Sequence, residues 1–361
     1  MTAVAVPAPI PTPARRLWPR YALCALAIVA LLVGELSLGA VGIGARDVVL
    51  LLLGLDVAAD AAQVEVWRNI VREFRLPRAL NALFSGAALG TAGLLLQTLF
   101  RNPLADPFVL GLVHGARLGA AVLVVLAGVA GNALLMRFGL AGDIGLAVAS
   151  IVGSSAVLLA LSALARRVSP VTLLIVGLML GYLAVGLISV LMHFIDETQA
   201  SAFKAWDDAS FAGATHQQLR LLVPVVVVGL AAAFALVKPL NALLLGERYA
   251  QSLGIAVATT RRLALLVVAW LTGIVTAFCG PVAFLGIVSA QVARALFLTS
   301  DHRLLLPAVM LIGGALGLAA DWITHMPWAR HVFHLNAVIG LVGAPVALWL
   351  LLRSRAMRGF E

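Results

Sequence analysis

The sequence predicts an all-α, polytopic membrane protein. Hydrophobic residues make up 62% of the 361 and charged residues only 11%. The mean hydropathy is +1.06, and the apolar residues fall in runs long enough to cross a bilayer, separated by short polar islands. A soluble domain of this length cannot bury so much apolar surface. The formal net charge of +9 comes from basic residues scattered singly between apolar runs. They form no stripe for nucleic acid, so their expected partner is the lipid bilayer.

Taken in order, residues 1–20 are proline-rich, carry Arg15, Arg16 and Arg20, and read as a disordered tail with a positive flank. The run 21–41 exceeds the usual hydrophobic region of a signal peptide and is expected to stay as the first span. A crossing helix needs about 20 apolar residues, which gives about ten spans. They fall near 21–41, 79–100, 107–130, 143–165, 170–194, 219–237, 263–280, 283–298, 304–324 and 336–352. Gly280 and Pro281 leave open whether 263–298 holds two helices or one broken one. The expected organisation is one transmembrane domain, 21–352, with a polar segment at 239–258 and a cytoplasmic tail at 353–361.

With both termini cytoplasmic, the inside segments carry 15 basic against 4 acidic residues and the outside segments 9 against 11. That asymmetry supports the orientation, because lysine and arginine concentrate on the cytoplasmic side.

Chemistry-bearing motifs are few. No nucleophile elbow, HExxH or P-loop occurs, so no catalytic residues and no ATP hydrolysis by this chain are expected. Cys24 and Cys279 stand alone in apolar runs, and the spacing of His325, His331 and His334 defines no ligand set; no metal site is predicted. Gly86 and Gly90 form one GxxxG, and Gly111, Gly115 and Gly119 form two overlapping copies, which suit close helix packing. Arg101, Asn102, Pro103, Asp106 and Pro107 lie in RNPLADP, where prolines stop helices and the polar side chains cap amides; it reads as a rigid inside turn. In the polar island 238–262, Glu247, Ala250 and Gly254 have ExxAxxxG spacing, and with Arg248 and Leu253 they predict a short exposed helix ending at glycine. It suits docking to a soluble partner, although an ordinary interfacial helix has the same signature.

Arg117, with His114 beside it, sits within the third span, where a charge is functional by default. Arg117 lies opposite the glycine seam at 100° per residue. It either lines the translocation path and draws an anionic ligand, or snorkels to the interface or pairs with Glu35. Arg75 and Arg78 flank Pro77 at the outer mouth of a span, against the positive-inside preference. Pro77 is expected to hold Leu76 extended, setting rigid charge for carboxylates on a docking protein; headgroup phosphates are the other partner of that chemistry.

Read together, RLPR (75–78), RNPLADP (101–107) with LGxxxGA (110–116), Trp206, LNALLLGERYAQSLG (240–254), GPVAFLG (280–286), Arg294, DHRLLLP (301–307), Asp321 and GAP (343–345) resemble the permease subunits of type II ABC importers for iron-siderophores, haem and vitamin B12. The resemblance implies a homodimer of ten-helix subunits in the bacterial inner membrane, two ABC ATPase subunits beneath, and a periplasmic substrate-binding protein above. ATP and Mg would sit on the ATPase, with no cofactor in this chain. The cargo it implies is an iron chelate, siderophore or haem, with vitamin B12 as the alternative. The RLPR arginines would pair with the binding protein. Residues 247–254 would be the coupling helix.

The chain departs from the family at three places. Ala290 and Gln291 replace a Pro-His pair, which puts Gln291 among the expected path residues; VFHLN (332–336) replaces a Glu-Leu-Pro-Val-Gly loop; and His325 replaces an arginine, for which Arg330 is the substitute. The rival class, a transporter driven by an ion gradient, is disfavoured because the buried acids reduce to Glu35 and Asp321 and no internal repeat is visible.

Overall fold

The computed structural model describes residues 13–39, 41–58, 60–129, 140–164, 168, 170–325 and 333–358, and every regular element among them is helical. Helix α1 spans Pro13–Ser37, α2 Ala45–Leu53, α3 Ala61–Asn69, α4 Leu76–Phe100, α5 Leu112–Val129 and α6 Leu140–Leu164. Then come α7 Pro170–Leu191, α8 Glu197–Asp207, α9 His216–Ala235, α10 Val237–Leu244 and α11 Glu247–Ser252. The last four are α12 Val257–Cys279, α13 Leu285–Phe297, α14 His302–Thr324 and α15 Leu335–Arg358.

Among the described residues, seven helices are long and apolar enough to cross a membrane, and three shorter apolar ones cover Leu112–Leu126, Leu285–Phe297 and Leu335–Val346. Most of α4, α12 and α14 is buried, while almost none of α1 is, so the first three form the centre and α1 lies outside them. Small residues make that centre possible. A Cβ on Gly86 would stand 2.1 Å from the Gly313 carbonyl oxygen of α14, and one on Gly119 2.1 Å from that of Ala149 in α6. Gly115 packs on Gly153, and Gly90 on Ser289 and Val309. Gly111 precedes α5 with φ +77° and meets the Gly177 carbonyl of α7.

Three expectations change, and the open question at 263–298 resolves into two helices. Residues 13–20, placed by the sequence in the disordered tail, belong to α1: a proline needs no amide partner in the first turn. Residues 353–358, placed in the other tail, continue α15. Gly280, at φ +70°, ends α12 and separates it from α13. Leu76 is helical, at φ −64° and ψ −47°, not extended. A π-helical turn, Ile70–Arg75, precedes it, and the Leu76 amide bonds the Val71 carbonyl, so the wider turn accommodates Pro77 without breaking the run from Ala61 to Phe100.

Candidate translocation and coupling sites

At one end of the bundle α10 and α11 meet at Gly246, whose φ of +119° a side chain would strain. Helix α11 starts at Glu247 and stops before Gly254, at φ +78°. Ala250 is buried, whereas Arg248, Tyr249 and Leu253 are exposed, and Glu247 pairs with Arg261 of α12 at 2.5 Å. A cleft of about 700 Å³ beside α11 is lined by Ser155, Ser162, Gln251, Arg261 and Arg262.

This end is tied to the core by groups the sequence does not single out. Asn241 of α10 accepts from the His302 amide at 2.8 Å and donates to Asp301 Oδ1 at 2.5 Å. His302 Nδ1 lies 2.9 Å from Asn241 Oδ1, and its Nε2 lies 2.8 Å from Thr98 Oγ1 on α4. A movement of α10 therefore acts directly on the ends of α4 and α14. The signal for Asn241 was its place inside LNALLLGERYAQSLG; nothing marked Thr98.

The turn after α4 begins with Arg101 at φ 48°, which donates to the Leu243 carbonyl at 3.2 Å. Asn102 Oδ1 accepts from Leu104 N at 2.9 Å and Asp106 Oδ1 from Phe108 N at 2.8 Å. Pro103 is exposed and Pro107 buried. Asp106 is packed so closely on α13 that a Cβ on Gly286 would lie 2.6 Å from its Oδ2, and burial pushes its carboxyl up to about 6. Gln291 donates to the Pro103 carbonyl at 3.0 Å, and Arg294 donates to Gln97 Oε1. Gln291 thus bridges this turn to α13.

At the opposite end, Arg75 donates to the carbonyls of Leu36 at 2.7 Å and Ser37 at 3.0 Å, and to that of Val41. Arg78 forms a fork on Asp321, Nε to Oδ2 at 2.6 Å and an NH2 to Oδ1 at 2.8 Å. The fork places both negative lone-pair faces of Asp321 on one planar cation. Arg330 and His331 lie outside the described residues.

Arg117 does not pair with Glu35. It is bidentate on Asp207, the last residue of α8, with Nε to Oδ1 at 2.5 Å, and it also donates to His114 Nδ1 at 2.9 Å. The short helix α8 folds back against α5, a return no local pattern reveals. Trp206 fixes the same end by donating to the Ala277 carbonyl at 2.9 Å.

Among the described residues, long apolar helices packed on buried glycines, with partly buried charges at their ends, are the build of a polytopic membrane protein. Residues 26–353 match the FecCD transport family. The chain is 34% identical over 294 residues to the vitamin B12 import system permease protein BtuC of Klebsiella pneumoniae subsp. pneumoniae, covering 81% of this chain and 84% of the relative. It is 35% identical over 302 residues to that of Salmonella paratyphi A, covering 83% and 87%. A solved structure of an inward-facing metal-chelate type ABC transporter shares the fold, with a TM-score of 0.75, 24% identity and coverage of 93% of this chain and 99% of that one. The chain belongs to the FecCD transport family, as a permease of the type II ABC importers.

Proposed function

We propose that the chain is a ten-span subunit with both termini cytoplasmic, that two copies enclose the translocation path in a bacterial inner membrane, and that they import a bulky metal chelate. The family assignment carries this reading. The B12 permeases among the relatives favour cobalamin as cargo. An iron-siderophore or haem is the second reading, favoured by the shared fold with a metal-chelate transporter. The α11 end faces the cytoplasm and docks on an ABC ATPase, which holds ATP and Mg; its exposed Arg248, Tyr249 and Leu253 supply the contact. The Arg75 end faces a periplasmic binding protein.

Supply of this chain with its ATPase and binding protein to cells lacking their own permeases tests the cargo. Labelled cobalamin should accumulate in an ATP-dependent manner. Uptake of a ferric siderophore or haem alone would transfer the assignment to iron, and transport without any ATPase would remove the importer reading.

A further inference from the structure

We propose that Glu35, Asp321 and His325 form a site for one divalent transition-metal ion, where the ends of α1 and α14 meet the start of α4. One donor atom from each lies within 4.8 Å of the others. The second observation is independent of that clustering. The Glu35 side chain is 1% exposed, yet its Oε2 has no hydrogen-bond partner. A buried carboxyl oxygen so placed is costly unless a cation or a proton meets it. Arg78 does not: its Nε stands 3.7 Å from Glu35 Oε1, and its hydrogen bonds go to Asp321 and Thr324.

His325 sharpens the argument. Its Nδ1 lies 2.7 Å from the Asp321 main-chain oxygen, which only accepts, so Nδ1 carries a proton and, in the neutral ring, the Nε2 lone pair turns outward. That Nε2 faces Glu35 Oε1 at 3.3 Å. Two lone pairs confront each other, and a positive centre belongs between them. Nitrogen and oxygen donors about 2.0–2.1 Å from a tetrahedral zinc stand about 3.3 Å apart. An imidazole whose other nitrogen donates to a backbone carbonyl is also the usual support of a metal ligand. Mixed imidazole and carboxylate donors suit zinc and its first-row neighbours better than magnesium or calcium. Asp321 can ligate while keeping Arg78, because a carboxylate has about four lone-pair sites. Arg78 offsets part of the negative charge, so the site is weaker than two carboxylates and a histidine would make alone. An ion here would join the ends of α1 and α14 and set the position of Arg78.

The test uses the full chain in detergent, stripped with a chelator and titrated with zinc at neutral pH. One ion per chain should bind, with an X-ray absorption shell of nitrogen and oxygen near ~2.0–2.1 Å containing a single imidazole. Glu35→Gln and His325→Ala should each weaken binding about 10- to 100-fold, the loss typical of disturbed metal sites. Arg78→Gln should tighten it, and His334→Ala, at an exposed histidine paired with Asp208, should leave it unchanged. Wild-type affinity in folded Glu35→Gln and His325→Ala, a shell with several imidazoles, or no zinc on folded wild type would overturn the proposal. The last result would leave a proton between Glu35 and His325. Should the variants fail to fold, the absorption spectrum of the wild type decides alone.

Discussion

Arg117 and Asp106 show what a charge within the fold does when its surroundings supply or withhold a countercharge. Arg117 was legible as an anomaly, since arginine within a span demands compensation. Its partner was not, because Asp207 reaches α5 only through the fold of α8. Both side chains keep some exposure, 14% and 23%, so breaking the pair should cost about 1–3 kcal/mol, below the full penalty of a sealed ion pair. Arg117→Ala is expected to lower uptake more than membrane protein level if the pair controls how α8 sits on α5. The exchange Arg117→Asp with Asp207→Arg should recover part of the loss. Equal falls in uptake and protein level, with no recovery, would reduce the pair to a folding contact. Asp106 carries a pH prediction. Its folded value of about 6 lies above the ~3.9 of an unfolded aspartate, so the folded chain holds the proton more tightly. Stability from that proton is complete below ~pH 4 and is lost as pH rises through about 6, on the order of 2–3 kcal/mol. Melting in detergent should therefore fall across that window, and Asp106→Asn should flatten the fall. Parallel curves for the two proteins would contradict this sign.

Glycines at different places in the elements should fail differently when substituted. Gly86 lies against the α14 backbone, where a Cβ would stand 2.1 Å from a carbonyl oxygen. No flexible side chain can yield there. Gly86→Val should reduce folded protein, by overpacking of about 1–3 kcal/mol or more. Gly254 meets nothing within 4 Å, but its φ of +78° disfavours a β-branched residue. Gly254→Val should leave insertion intact and reduce transport-coupled ATP turnover, measured in reconstituted vesicles with the ATPase. Unaltered turnover would remove α11 from the coupling contact. Apolar run length and GxxxG spacing made most long helices and their tight seams legible, and glycine spacing marked α11. Helices α2, α3 and α8 were not legible, because they are short, carry polar residues and sit between spans, where helical periodicity has too few turns to register. The π turn was missed for another reason: Pro77 read locally as a helix entrance, whereas the preceding turn widens to accept it.

For the whole molecule, the decisive question is which surface charges remain free to steer a partner. Composition made the membrane class plain, and the family motifs made the transport family plain. Neither showed that Arg75 and Arg78 would be engaged so differently. Arg78 is neutralised by the Asp321 fork and lies close to Glu35, so little of its charge is left for another protein. Arg75 donates to three carbonyls, which fix its position without cancelling its charge. Of the two, Arg75 is the better docking charge for a carboxylate on the proposed binding protein. Exposed ion pairs contribute about 0.2–1 kcal/mol, and across an interface they act mainly on encounter rate and register. Arg75→Gln keeps an amide donor for the carbonyls while removing the charge. It is expected to slow association of the binding protein several-fold at low salt and to flatten the salt dependence, because less long-range attraction remains to be screened. Arg78→Gln should change the association rate less and the stability of the α4 and α14 ends more, since Asp321 would lose its cation. Association kinetics on reconstituted vesicles at two ionic strengths separate these outcomes. Equal slowing by both variants would mean that the Asp321 fork opens on docking, and an unchanged rate in correctly inserted Arg75→Gln would assign Arg75 to lipid phosphate instead.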